Sequence, residues 1–297
     1  EVIDGRPVMT VDPAEGPTVY DADPIKILFV GDVMLGRYVE RLADANGWDS
    51  RFAEVVDDFE RYDYVVANLE GPIPQIHVPT PDFSTTFSFT PESVAALKEA
   101  GVDAVSLANN HTYDFGEVDY RNTQSVLQEK GFTYFGHPFT IGEDTTTIVK
   151  VDGQEIAFVG LHDVFGVLDI DGAIEEIERL SAETSDDQRM IVVYIHWGSE
   201  YSTTSNSRQQ EFADLLTRAG ADTIIGHHPH VRQEWENVNG APVFYSLGNF
   251  LFDQYFSEEV EKGYAIELTI DNGEVVNYKV LDVVSERSVP SIILNTE

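Results

Sequence analysis

From Ile25 onward, short runs of apolar residues alternate with longer stretches in which apolar positions recur at helical spacing, the pattern of a layered α/β fold. Five runs read as strands: Ile25–Val30, Tyr64–Ala67, Val102–Leu107, Ile191–Ile195 and Asp222–Ile225. Between them, Thr90-Pro91-Glu92 opens a helix over Ser93–Ala100 that Gly101 closes, with a cap, a proline at the first helical position and an acid near the positive end. A second helix is expected over Gln209–Ala219, ahead of Gly220. Asp152-Gly153, Asn239-Gly240 and Asn272-Gly273 each sit between β-rich runs and predict hairpins, so antiparallel strands join the parallel ones in mixed sheets. Residues 71–90 carry four prolines and read as a long loop that reaches over a site. Residues 1–24 lack periodicity and read as a leader or linker, which leaves 25–297 as one domain.

Composition narrows the possible functions. The 297 residues include 53 acidic and 18 basic side chains, a net charge of −35. Sequence-independent binding to nucleic acid or to anionic lipid needs clustered lysine and arginine, so neither is expected. With no cysteine, disulfides, thiolate nucleophiles and sulfur-ligated metals are excluded, and any metal must take nitrogen and oxygen ligands. No stretch approaches the roughly 18 apolar residues of a spanning helix. The chain begins at Glu1 rather than Met, which suggests an export signal or membrane anchor outside this sequence.

The chemistry gathers just after the strands. The five runs are followed by Asp32, by Glu70, by Asn110 and His111, by His196, and by His228 and His230. In open α/β sheets ligand sites form outside the carboxyl ends of strands, where loops converge. Each residue alone has an ordinary reading, such as a helix cap or a hydrogen-bonded core histidine, but their coincidence at five strand ends points to one shared crevice. Imidazole, carboxylate and amide oxygen together suit one or two Mn²⁺, Zn²⁺ or Fe²⁺ ions. Two such ions with a bridging carboxylate fit the ligand count and would serve hydrolysis. His111 is then placed to protonate a leaving group, with Asp114 orienting its ring.

The motifs Gly31-Asp32-Val33-Met34-Leu35-Gly36-Arg37, Asn68-Leu69-Glu70-Gly71-Pro72 and Ala108-Asn109-Asn110-His111-Thr112-Tyr113-Asp114 resemble those of the CapA family of poly-γ-glutamate capsule biosynthesis proteins. So do His196-Trp197-Gly198-Ser199-Glu200-Tyr201, Gly226-His227-His228-Pro229-His230-Val231 and Tyr245-Ser246-Leu247-Gly248-Asn249-Phe250. The resemblance runs in order from about residue 25 to 285 and links the chain to the calcineurin-like metallophosphoesterases. It implies a four-layer α/β/β/α sandwich and an extracytoplasmic, often membrane-anchored location. It also implies a role in making, exporting or anchoring poly-γ-glutamate, with a membrane synthase complex as a partner. Carried over by position, Asp32, Asn110, His196, His228 and His230 match metal ligands. Met34 stands where the phosphoesterases have a ligand histidine, and Glu70 stands where they have the bridging aspartate.

Other residues join the site with less specific signals. Glu200, four positions after His196, is a candidate proton carrier; as an ordinary acid after a strand it would do nothing. Arg37 suits an anionic substrate, its alternative being a surface ion pair. Asn249, Asp253 and Gln254 are expected to line the pocket, whereas His77, His137 and His162 have no partner spacing and read as structural or surface residues. The leading expectation is a metal-dependent hydrolase-type site acting on poly-γ-glutamate or a phosphoester. The rivals are a non-catalytic assembly or anchoring factor with a residual metal, and a phosphoesterase unrelated to capsules.

Overall fold

The central strands of the two sheets are apolar on both faces because each is covered twice, by a second sheet on one side and by helices on the other. In the first strand, β1 (Ile25–Val33), Ile25, Ile27 and Phe29 enter one core while Leu28 and Val30 enter another. The computed structural model describes residues 2–3, 6–7, 23–183 and 189–293. Most of the expected leader over 1–24 lies outside the described residues; within it, Val2–Ile3 pairs antiparallel with Arg6–Pro7.

The larger sheet contains β1, β2 (Tyr64–Leu69), β3 (Ala104–Ser106) and β4 (Thr133–Phe135), all parallel. The smaller sheet is built from β5 (Thr146–Val151), β6 (Gln154–Asp163), β7 (Arg189–Trp197), β8 (Thr223–His227), β9 (Trp235–Val238) and β10 (Ala241–Phe244). Its order is β9-β10-β8-β7-β6-β5, parallel in the middle and antiparallel at both edges. The chain then returns to the larger sheet, where β11 (Asn249–Leu251) pairs parallel with β1. Finally β12 (Lys262–Asp271), β13 (Glu274–Ser285) and β14 (Pro290–Ile293) extend its other edge antiparallel. The three expected hairpins join β5 to β6, β9 to β10 and β12 to β13. Asp152, Asn239 and Asn272 have positive φ, as does the glycine after each, the geometry these dipeptides favour.

Helices α1 (Arg37–Asn46), α2 (Pro91–Glu99) and α3 (Glu117–Glu129) cover the outer face of the larger sheet; α4 (Ile170–Ala182) and α5 (Ser207–Ala219) cover that of the smaller. Thr90 Oγ1 accepts from the Ser93 amide at 3.1 Å and caps α2 as its sequence predicts. α5 starts two residues earlier than Gln209, because Asn206 and Gln209 form a reciprocal capping box. The result is a four-layer α/β/β/α sandwich with mixed sheets. None of the described helices is long and apolar enough to cross a membrane.

Candidate functional site

Strict alternation along β1 would turn Asp32 toward α1, since Leu28 and Val30 face that way. The pairing with β2 prevents it. Phe29 is in register with Val66 and Asp32 with Asn68, so β1 holds one residue more than β2 between these points. This bulge reverses the facing of Asp32 and aims it between the sheets. On the smaller sheet no bulge is needed: His196 follows Met190, Val192 and Tyr194 on the inner face of β7. Gly31 permits the close approach of β11, since a Cβ there would stand 2.0 Å from the Gly248 carbonyl oxygen.

The six residues expected to hold metal converge in two adjoining groups. In the first, ligand atoms of Asp32, Glu70 and His230 all lie within 4.8 Å of one another. His230 Nδ1 is 3.3 Å from Asp32 Oδ2, and its Nε2 is 3.6 Å from Glu70 Oε1. In the second, His196 Nε2 lies 2.8 Å from Asn110 Oδ1 and 3.1 Å from His228 Nδ1. Asn68 joins the groups: its Nδ2 donates to Asp32 Oδ1 at 2.8 Å and lies 3.3 Å from His196 Nδ1. Asn109 in turn donates to Asn68 Oδ1, while its own Oδ1 accepts from the amides of His111 and Thr112, fixing the loop that carries Asn110. His228 and His230 both have positive φ, a conformation that non-glycine residues seldom adopt and that turns both rings inward around Pro229.

Burial and close contact shift the titratable groups of this centre strongly. Burial pushes the Asp32 carboxyl up, but hydrogen bonds and charge from His227 and His230 outweigh it and hold the group well below the usual carboxylate range. Glu70 is the opposite case. It is fully buried, neither carboxylate oxygen has a hydrogen-bond partner, and burial drives its carboxyl well above the ordinary value against the pull of His230. Burial lowers His230, yet Glu70 and Asp32 lift it to about 9. Burial and the neighbouring His230 lower His228 to about 3, and burial with His228 pushes His196 well down, so both rings favour the neutral form. A carboxylate, an orphaned buried carboxyl, an amide oxygen and three imidazoles fit a divalent cation by chemistry.

The other candidates surround this centre. His111 Nδ1 lies 3.0 Å from Asp114 Oδ2, which also accepts from the Phe87 amide at 2.7 Å. The ring packs on Phe87 and presents Nε2 to Glu70 Oε1 at 3.9 Å. Glu200 is exposed at the rim, close enough for its charge to act on Glu70 and His230. Arg37 lies over the Phe87 ring; its fork is engaged by Asp253 and its Nη1 donates to the Ser84 carbonyl oxygen at 2.9 Å. Asn249 is buried, with Oδ1 3.0 Å from His230 Nδ1 and Nδ2 donating to Gln254, whose own amide donates to the Tyr201 hydroxyl. Met34 is buried in the core beside α1, with its sulfur accepting from the Gly36 amide, and has no part in the site.

Sequence reasoning passed over two neighbours of the centre. His227, in register with His196 on the adjacent strand, places Nδ1 3.1 Å from Asp32 Oδ1. His162, read as structural or surface, is buried 6.1 Å from the His196 ring. The signal for both was their position at strand ends.

Residues 26–254 match the family described as bacterial capsule synthesis protein PGA_cap. The chain belongs to this family. The PGA biosynthesis protein CapA of Bacillus subtilis is 36% identical over 257 residues, covering 81% of this chain and 67% of the relative. The capsule biosynthesis protein CapA of Bacillus anthracis is 32% identical over 280 residues, covering 88% and 67%. A solved phosphatase from Mycoplasma pneumoniae superposes with a TM-score of 0.59 at 14% identity, over 89% of this chain and 94% of that one. The PGA_cap chain thus carries a metallophosphoesterase-like fold.

Proposed function

We propose that this chain acts in poly-γ-glutamate capsule biosynthesis as a CapA-like extracytoplasmic protein with a divalent-metal-dependent hydrolase-type site, working on poly-γ-glutamate or a phosphoester beside a membrane synthase complex. Its relatedness to two capsule proteins supports the biological role. The observation that carries the metal is Glu70, a fully buried carboxyl whose oxygens have no hydrogen-bond partner.

Asp32, Glu70 and His230 would hold one ion and Asn110, His196 and His228 a second, with Glu70 shared. Mn²⁺, Zn²⁺ or Fe²⁺ suits these donors and supplies Lewis-acid activation of a phosphoryl or carbonyl oxygen. Asn249 and Asn68 hold the ligand rings at fixed angles, the support that metal-binding histidines need. Asp114 accepts the Nδ1 proton of His111, so that Nε2 faces the centre as the atom that holds and delivers a proton to the leaving group. Arg37, fixed by Asp253, contributes positive charge toward an anionic substrate, while Gln254 and Tyr201 form the adjacent wall. Glu200 at the rim exchanges protons with solvent.

The test is turnover by purified protein with Mn²⁺ or Zn²⁺ on a phosphodiester and on poly-γ-glutamate, beside His111→Ala and His228→Ala. Metal-dependent turnover lost in both variants supports the hydrolase reading. Turnover that neither variant changes overturns it. The buried position of Met34 favours a second reading, in which the first group has His230 but no second imidazole and the metal serves a non-catalytic assembly factor. That reading expects bound metal without turnover.

A further inference from the structure

A series of hydrogen bonds runs outward from the centre, and the direction of each is fixed. It starts at His230 Nδ1, 3.0 Å from Asn249 Oδ1. The Asn249 amide cannot be turned round, because its Nδ2 also donates to the Val260 carbonyl oxygen at 3.0 Å, and a carbonyl only accepts. The atom facing His230 is therefore oxygen, and His230 Nδ1 is the donor. Asn249 Nδ2 donates in turn to Gln254 Oε1 at 3.1 Å, which leaves Gln254 Nε2 to donate to the Tyr201 hydroxyl at 3.3 Å. Tyr201 Oη accepts here, so its own proton points elsewhere, and no acceptor for it is found among the described residues.

The backbone holds Tyr201 in place beside His230. Its φ is +62°, in the left-handed region that a tyrosine seldom adopts, and its amide donates to the Pro229 carbonyl oxygen at 2.8 Å. Residue 201 is thereby tied to the loop that carries His228 and His230. Its ring lies 6.2 Å from the His230 ring, and Phe256 meets it edge-on at 5.1 Å. The charges of Glu200, Arg37 and Glu70 all act on the hydroxyl, which places it within reach of the centre and of the arginine alike. A tyrosine that only met solvent would need neither a left-handed backbone nor a partner that directs its proton. Donors arranged in series polarise one another in the same sense, so the terminal O–H becomes a better donor.

We propose that the Tyr201 hydroxyl donates a hydrogen bond to an oxyanion bound at the metal centre. This rests on the divalent-metal reading given above and names the chemistry its site selects: a group with a negatively charged oxygen, phosphoryl or carboxylate. Asp253 already engages the Arg37 fork, so the tyrosine supplies a directed donor that the arginine does not. Asn249 and Gln254 are positioning residues that act through it.

The test is calorimetric titration of Mn²⁺-loaded protein, freed of excess ion, with inorganic phosphate and separately with a γ-linked glutamate oligomer, comparing wild type with Tyr201→Phe. Phenylalanine keeps the ring on His230 and removes only the hydroxyl. The expected result is at least about tenfold weaker binding of one or both anions in the variant, with Mn²⁺ affinity and melting temperature unchanged. Loss confined to phosphate assigns a phosphoryl oxygen; loss confined to the oligomer assigns a carboxylate. Mn²⁺-loaded wild-type crystals soaked with the bound anion should place one of its oxygens within hydrogen-bonding distance of Tyr201 Oη, which decides the matter even if the variant folds poorly. Unchanged anion affinity in the variant, a Mn²⁺ affinity that falls with it, or no anion bound by Mn²⁺-loaded wild type overturns this donor and leaves the metal reading standing. No Mn²⁺ uptake by wild type overturns both.

Discussion

The Asn68 side-chain amide donates to Asp32 Oδ1 across 2.8 Å, from the residue that stands in register with Asp32 on the next strand. The same nitrogen lies 3.3 Å from His196 Nδ1, so one side chain spans the interface between the sheets and touches both metal-competent groups. Asn68→Ala is expected to weaken divalent-metal binding by about 10–100-fold, the usual effect of losing an orienting partner, with a smaller loss of stability. Calorimetric titration with Mn²⁺ and a denaturant curve of the metal-free variant check this. Unchanged affinity would count against Asn68 as the link.

Glu70 gives a prediction in the metal-free and metal-loaded states. A ligand that binds only the native state at 100 times its Kd adds about 2.7 kcal/mol of stability. Glu70→Gln keeps the shape and removes the charge, so Mn²⁺ should raise the melting temperature of wild type and leave the variant where chelator leaves it. Thermal melts with Mn²⁺ and with EDTA measure both. A metal-induced rise retained in the variant would remove Glu70 from the centre.

Met34 is expected to resist repair. Restoring a histidine at this position does not restore a ligand, because the side chain is enclosed in the core beside α1. Met34→His should cost about 2–4 kcal/mol of stability by burying a polar ring, with no gain in metal content. Urea unfolding and elemental analysis read the two quantities. An added metal equivalent would show that this strand end can turn toward the site.

Asp222 supplies a pH dependence remote from the centre. Burial raises its carboxyl to about 6, although the Ile191 amide donates to it at 2.7 Å and opposes the shift. The native state therefore holds this proton more tightly than the unfolded chain, so as pH rises from about 4 to about 6 the residue lowers stability and the loss persists above that range. Asp222→Asn should gain about 1–3 kcal/mol over wild type at pH 7.5 and little at pH 3.5. Paired denaturation curves at the two pH values test the sign; a larger gain at low pH would refute it.

Much of this architecture was legible in the residues. The caps at Thr90 and the three Asx-Gly turns work through contacts within a few positions, so local chemistry reveals them. The site residues stood out because the strands of an α/β sheet deliver their last polar residues to one edge. What stayed hidden depended on distant partners. The extra residue of β1 between Phe29 and Asp32 exists only relative to β2, and no period in the sequence announces it. The polar first turn of α5 concealed its start, since Asn206 and Gln209 cap each other without an apolar spacing. His162 looked isolated because its register partner lies 34 positions away on another strand.

The apolar layer between the sheets has one further consequence. Asp32, Asn68 and Glu70 come from one sheet and His196, His228 and His230 from strand ends of the other, so neither sheet owns a complete set of ligands. A cation held as proposed would be captured only after the two have closed on each other, and tight loading would then be the final act of maturation. A chain interrupted before that closure would remain empty however much metal surrounds it.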